Sequence, residues 1–572
     1  MDQTYCTHTG KASVEKPWLN YYPEHMRRFA APHMTLSAFL QEQNQDHDKP
    51  TIEYYGGRFS LNRLLAEADK AARALAALGV KEGDEIPVFL SMVPEFFVLL
   101  LAAEKIGAAL ICRDGTVEEN QEAVRRSGAK VLFAHDFLSM EELELDRQAS
   151  SLEHVVLVSP YQSAVREEVP DYVARHIAGR YPEHPAGGEE CMDWDTFLAG
   201  GAGYSGSYEA PADPDRSLYH PYTSGSTGPS KELIHTAASM EGVISQLIIP
   251  SPVQISWRVL LCLLPPSLIA MVSPMVLYRI ATTDLIILSP FCDEKDIDLE
   301  FLRHKPNLMM AIPMMAEILM ESKRIPEDYD MSFMLVMGGG ADPMHNKFLR
   351  RVQDFLAKHG SPATYSMCYG LSEAGSTATN PHANSSFMDC GSGIPMQGVV
   401  ISVFEKDSQK ELDYGQLGEI CVQSPGNMVG YTDPEATEKT LQRHPDGLLW
   451  VHTGDFGYMN EKGELFVLGR GLTERYGGGY LFCLPMENKV VEVPGVEDCF
   501  VVTVPDKEHP GYFLPYLFLV PEDGAVLEDL EKGIHDALEP HERPVRITLI
   551  KHREYFHFKT NRRVLAAQIM SE

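Results

Sequence analysis

Positive charge is scarce in this sequence: 49 Lys+Arg face 81 Asp+Glu in 572 residues, a formal net charge of −32. Such a balance repels phosphate backbones and anionic lipid surfaces, which argues against nucleic-acid or membrane binding through basic patches; an anionic ligand must be held locally. Zinc-type ligand pairs are missing as well. The ten cysteines are scattered through the chain with no CxxC pair and no histidine pair at zinc spacing, a pattern that fits a reducing cytoplasm. The first residues, MDQTYCTHTGKASVEKPW, lack a basic stretch followed by an apolar one, so no signal peptide is expected. Long apolar runs are nearly absent. Residues 259–278 carry no charge over twenty positions, but Pro265, Pro266 and Pro274 interrupt them and Arg258 and Arg279 bound them. They read as a buried core or pocket segment, and no transmembrane segment is expected.

What is present is the composition of a folded enzyme, 44% hydrophobic and 23% charged, long enough for several structural units. Ser60 caps a stretch in which Leu64, Leu65, Ala68, Ala72, Leu75 and Leu78 recur at helical spacing, with Gly79 after its end. Short apolar runs at 86–90, 130–134 and 154–158 alternate with helical stretches such as 95–106, the pattern of α/β layers with parallel strands. Residues 160–215 show weak periodicity and read as a surface excursion. From about residue 397, short strands separated by turns predict a β-rich subdomain. Beyond Arg470 a βαβ alternation predicts a small α+β domain. The expected fold is α/β: a large N-terminal domain over 1–470, with layered α/β subdomains and the β-rich one, and a small C-terminal domain over 471–572.

Three segments could carry chemistry. The first, YTSGSTGPSK over 222–231, offers small side chains, many N–H and O–H donors and the Lys231 ammonium, which is what cradling a polyphosphate requires. It is no Walker A loop, because Lys231 follows Ser230 and precedes Glu232; a flexible linker is the bland alternative. The second, YSMCYGLSEAG over 365–375, sets an aromatic, a glycine, a hydroxyl and a carboxylate at close spacing, able to stack a base and ligate Mg²⁺. The third, HTGD over 452–455, puts Asp455 beside a glycine turn, where it can accept from ribose hydroxyls or serve only the turn.

In this order, together with GGGADP over 338–343, GQLGEICVQSPGNMVGY over 415–431 and the Gly469-Arg470 pair, these segments resemble the adenylate-forming superfamily of acyl-CoA synthetases, peptide-synthetase adenylation domains and luciferases. The resemblance runs from about residue 35 to the end and is closest to acyl-CoA synthetases. It implies a phosphate loop of Thr223, Ser224, Gly225, Ser226, Thr227 and Gly228, with Lys231 near the pyrophosphate. It implies that Tyr369, beside Gly370, stacks on adenine, that Gly338, Gly339, Gly340 and Ala341 line the adenine and acyl pocket, and that Ser372 contacts the α-phosphate. Glu373 and Thr227 would hold Mg²⁺. Asp455 would accept from the ribose, with Arg470 at the hinge.

The sequence departs from that pattern at its tail, where the family carries a catalytic lysine. In FHFKTNRRVL an ungapped alignment puts Arg563 at that place, whereas a shifted one makes Lys559 the substitute. Arginine presents a planar fork instead of a point ammonium, so the exchange is not conservative in a tight site. Leu472 and Thr473 stand where the hinge residue is expected, and LPPSLIA over 264–270 lacks the histidine of the family's aromatic gate.

The implied activity is that of an acid–thiol ligase: ATP and Mg²⁺ activate a carboxylic acid as acyl-AMP, and a thiol, of CoA or of the phosphopantetheine of an acyl or peptidyl carrier protein, then takes the acyl group. Met309, Met310, Met314 and Met315 suit an irregular hydrophobic acid, although their spacing is equally that of a core helix. No acidic group around Ala341 is read as placed to meet a substrate amine, which points away from amino acids. The alternatives are a catalytically weakened relative that binds nucleotide or acyl ligand in a regulatory role, and a variant ligase that spends the adenylate on amide or ring formation.

Overall fold

The structure is a computed structural model describing residues 9–139, 151–183, 187, 191–223, 230–248, 256–380, 388–556, 559–560 and 562–571. Two α/β sheets share one hydrophobic core. The first has eight strands, centred on Glu85–Phe89, Ala109–Ile111 and Ser217–His220. The second has seven, in which Tyr365–Met367, Val336–Gly339, Leu308–Met310, Arg258–Cys262, Leu285–Ser289 and Pro50–Tyr54 run parallel in that order. Parallel strands covered on both faces read as continuous apolar runs, which is why Val131–His135 is buried at every position.

Local signals place the helices. The Ser60 side chain accepts from the Arg63 N–H and caps the helix Leu61–Ala77. The helix Pro94–Ile106 stops at Gly107, whose φ of 78° closes the turn at no steric cost. The uncharged run 259–278 becomes the buried strand Arg258–Cys262 followed by helical turns, and among the described residues no helix is long and apolar enough to cross a membrane.

Three expectations need correction. Residues 160–215 are more than a surface excursion: they hold the helices Asp171–Arg180 and Trp194–Gly200 and the strand Cys191–Asp193, which extends the eight-stranded sheet. Trp194 and Phe197 are buried against Phe133, an aromatic anchor with no periodicity to announce it. The four methionines do not share a helix, because Pro313 begins a new one; Met309 and Met310 lie on the strand Leu308–Met310, and Met314 and Met315 on the helix Pro313–Glu321. The C-terminal βαβ alternation contains an additional strand, Phe513–Pro521, antiparallel to Val496–Pro505 and parallel to Arg546–Leu549.

The β-rich subdomain is antiparallel, with Val400–Phe404, Gly418–Gln423, Leu449–Met459 and Leu465–Arg470 around its own core, which includes Trp450. The C-terminal strands have a separate core with Val490, Cys499, Leu517 and Ile534. This unit docks on the N-terminal body through polar contacts: His345 Nε2 of the body lies 2.6 Å from Asp498 Oδ1, and the Tyr555 hydroxyl donates to Glu317 at 3.0 Å; within the unit, Arg553 Nη2 holds the same Asp498 oxygen at 2.7 Å.

Within the C-terminal unit Arg562 is committed to the interior. Its guanidinium donates to Glu487 Oε1 at 2.5 Å and to the Val501 carbonyl at 2.7 Å, and the Glu487 side chain is 0% exposed. Removing one member of such a pair strands the other charge. Arg562→Met is expected to cost about 3–5 kcal/mol by urea unfolding; the further change Glu487→Gln is expected to recover part of that loss.

Candidate active site

The foot of the 222–231 hairpin is tightly tied. Tyr222 and Glu232 face each other as an antiparallel bridge. The Thr223 N–H donates to the Lys231 carbonyl at 2.8 Å, the Lys231 N–H donates to Thr223 Oγ1 at 2.9 Å, and the Ser230 hydroxyl donates to the Thr223 carbonyl at 2.5 Å. Ser224, Gly225, Ser226, Thr227 and Gly228 lie outside the described residues. The Lys231 ammonium sits 4.9 Å from the centroid of the Tyr431 ring, and the Tyr431 hydroxyl donates to Glu373 Oε1 at 2.6 Å. Burial and the Glu373 carboxylate push the Tyr431 pKa well up, so this phenol remains a donor. One tyrosine therefore joins the hairpin to the 365–375 segment.

That segment opens with the strand Tyr365–Met367 and leaves it at the C-terminal edge of the parallel sheet, where ligands collect in open α/β sheets. Next to it the strand Val336–Gly339 ends in the glycine run. A Cβ on Gly370 would lie 2.0 Å from the Ser376 carbonyl, so the backbone there admits no side chain, and one on Gly339 would lie 2.6 Å from the Tyr365 hydroxyl and displace that ring. Ala341 adopts a φ of 70° and is exposed. The Tyr369 hydroxyl donates to Asp455 Oδ2 at 2.8 Å, and Arg470, paired with Asp455 across the sheet, brings its Nε to 3.9 Å from Oδ1. Burial raises the Asp455 pKa above the ordinary carboxylate value, opposed by Arg470 and by the tyrosine hydrogen bond.

Ser372 opens a short 3₁₀ turn, Ser372–Ala374. Its carbonyl lies 3.1 Å from His235 Nε2, and since a carbonyl only accepts, that nitrogen carries the proton. Burial pushes His235 down to about 3, which keeps the imidazole neutral. His235, Tyr431 and Asp342 were not singled out from sequence. His235 and Tyr431 carry no local pattern of their own, and their roles come from pairing with residues more than 50 positions away.

The C-terminal tail enters this region. The strands Tyr555–Phe556 and Lys559–Thr560 form a hairpin, and both the Thr560 N–H and its hydroxyl donate to Asp342 Oδ2, at 2.8 and 2.5 Å. The acidic side chain next to Ala341 is thus engaged by Thr560. Lys559 lies in the field of Asp342, Arg470, Asp455 and Glu373; burial lowers its pKa, with the three carboxylates opposing. Arg562 points away into the C-terminal core, and the Arg563 side chain lies outside the described residues.

Glu373 fits the role of a Mg²⁺ ligand: it is a buried hard carboxylate with one oxygen fixed by Tyr431, and Mg²⁺ takes one or two carboxylates together with substrate phosphates.

The family model for AMP-binding enzyme matches residues 39–432, and that for the AMP-binding enzyme C-terminal domain matches residues 485–553. The chain belongs to the AMP-binding enzyme family. It is an acyl-CoA-synthetase-like enzyme, similar across most of its length to 4-coumarate–CoA ligase 3 of Oryza sativa subsp. japonica, at 27% identity over 83% of this chain and 80% of the relative. It is likewise similar to the 4-coumarate–CoA ligase CCL1 of Humulus lupulus, at 26% identity over 88% of each. The fold matches ATP-bound MatB from Rhodopseudomonas palustris, with a TM-score of 0.73 at 21% identity over 93% of this chain and 98% of that one. It also matches O-succinylbenzoate CoA synthetase of Bacillus subtilis in complex with ATP and magnesium, with a TM-score of 0.67 at 20% identity over 90% and 96%.

The Tyr431–Glu373 bond makes a direct test. A double-mutant cycle of Tyr431→Phe and Glu373→Gln is expected to give a coupling of about 1.5–3 kcal/mol, as for a hydrogen bond to a charged group. Additive unfolding energies in this cycle would show that the bond contributes nothing.

Proposed function

We propose that this enzyme activates a hydrophobic carboxylic acid with ATP as acyl-AMP and then transfers the acyl group to the thiol of CoA. The observation that carries this reading is that the tail is tied by Thr560 to Asp342 at the end of the glycine run, which seats Lys559 next to it, while Tyr431–Glu373, Tyr369–Asp455 and Lys231–Tyr431 contacts join the other three segments. On this reading residues 1–470 form the nucleotide- and acid-binding body, and residues 471–572 form a lid that brings the tail lysine in.

The assignments carry over from the family resemblance. Asp455 accepts from the ribose, Tyr369 lies against the adenine, and the segment Gly338, Gly339, Gly340 and Ala341 borders both adenine and acid. Thr223 and Lys231 hold the β- and γ-phosphates, together with the loop residues Ser224, Gly225, Ser226, Thr227 and Gly228. Ser372 reaches the α-phosphate. Glu373, with Thr227, holds Mg²⁺, which neutralises phosphate charge when bound. The Lys559 ammonium bridges the substrate carboxylate and the α-phosphoryl oxygens, offsetting the repulsion between two anions.

In the first half-reaction a carboxylate oxygen attacks the α-phosphorus and pyrophosphate leaves; in the second a thiolate attacks the acyl carbon and AMP leaves. Apolar surroundings support a hydrophobic acid: Met310 packs toward Gly338 and Met367 toward Gly339. A phosphopantetheine thiol on a carrier protein has the same chemistry as CoA and is a second acceptor to test. A tail lysine near the nucleotide carboxylates favours an active ligase over the weakened regulatory relative.

ATP–pyrophosphate exchange is expected to depend on an apolar acid, and Lys559→Ala to lower it by about 10²–10³-fold. Arg563→Lys is expected to leave the rate nearly unchanged, and a large rise instead would transfer the role to that position. Because burial lowers the Lys559 pKa, the active cation is lost as pH rises through a value below the ordinary lysine range. The alkaline limb of kcat is thus expected below pH ~10.4, and Lys559→Arg is expected to move it upward.

A further inference from the structure

Glu232 is a carboxylate buried directly behind Lys231, with a side chain 3% exposed. It has more partners than a strand residue needs. His220 Nδ1 donates to its Oε1 at 2.9 Å, Arg126 Nη2 donates to the same oxygen, and the Tyr222 hydroxyl donates to Oε2. Arg126 also pairs with Glu85 at 3.0 Å, and the Ser217 hydroxyl, 2.5 Å from His220 Nε2, fixes the imidazole tautomer that donates to Glu232. Glu85, His220 and Glu232 are close enough to ligate a metal ion, but the Arg126 guanidinium already bridges both carboxylates and supplies the positive charge.

The cluster grips the hairpin on both sides. Tyr222 precedes Thr223, and its ring is covered by the Arg113 guanidinium at 4.3 Å while its hydroxyl is held by Glu232. The Glu232 carbonyl accepts the Thr432 N–H at 3.1 Å, next to the Tyr431 that lies against the Lys231 ammonium. Burial alone would raise the Glu232 pKa; the hydrogen bonds from His220 and Tyr222 and the charge of Arg126 outweigh it and hold the carboxyl below its ordinary value, so it stays an anion.

We infer that Glu232 is a positioning residue for the β- and γ-phosphates of ATP: through Tyr222, His220 and Arg126 it fixes both strands at the foot of the hairpin and sets the direction in which Lys231 leaves it. This rests on the nucleotide reading above. Its signature is selectivity between nucleotides. AMP lacks the phosphates that Lys231 reaches, so loosening the hairpin foot weakens ATP and spares AMP, whereas general damage to the fold weakens both.

The test titrates full-length wild type, Glu232→Gln and Tyr222→Phe with ATP and with AMP by calorimetry, and follows thermal unfolding of each. Glu232→Gln is expected to weaken ATP by about tenfold or more, in line with small misplacements of reacting groups, and AMP by less than about threefold. Tyr222→Phe removes one of the cluster's hydrogen bonds and is expected to show the same selectivity at smaller size; it carries the test if Glu232→Gln does not fold. Equal losses for ATP and AMP, or no loss for either, would overturn the inference while leaving the ligase reading standing. Failure of wild type to bind ATP at all would overturn both.

Discussion

Three carboxylates, Asp342, Glu373 and Asp455, are drawn together where the C-terminal tail meets the N-terminal body, and the rest of the site follows from how their charge is met. Carboxylates taken out of water are tolerated when hydrogen bonds or cations replace the lost hydration. Tyr431 serves Glu373, Tyr369 and Arg470 serve Asp455, and Thr560 serves Asp342. Lys559 lies within reach of all three fields. The cluster stays net negative among the groups named, which suits it to a magnesium-bound nucleotide more than to a bare anion.

The same logic governs how the C-terminal unit is seated. Asp498 is held far below its ordinary pKa against its burial by Arg553 and His345, which belong to different units of the chain, and Arg553 also donates to Thr560 at 3.0 Å. Docking of the unit and delivery of Lys559 thus share hydrogen bonds. The contacts named between the two units are polar, as is usual between domains of one chain.

Much of this architecture was readable in the sequence because its signals are local. Ser60 before a 3.6-residue apolar repeat, Gly107 after one, and short apolar runs between helices each name an element without reference to anything distant. The segments 222–231, 365–375 and 452–455 stood out as candidates for chemistry because small residues, hydroxyls and carboxylates stand in compact motifs, whereas the hydrogen bond from Tyr369 to Asp455 that joins two of them spans 86 positions and leaves no local signal. The tail was harder. The two alignments of FHFKTNRRVL differ in which cation occupies the family's lysine position, and only the pairing of Arg562 with Glu487, 75 residues away in sequence, shows that the neighbouring guanidinium is spent on the core. Glu232 was legible only as a departure from a Walker loop, since its partners His220 and Arg126 come from other strands and helices of the sheet.

Thr560 is anchored by two hydrogen bonds, and Lys559 is its immediate neighbour. The ammonium is therefore a charge on a short tether: its reach is set by four methylene groups and not by travel of the domain once docked. On the proposed role of Lys559, an acid brings its head group to that fixed radius, so the depth to which the tail of the substrate can sink is measured from the carboxylate end, as by a ruler with its zero at Thr560.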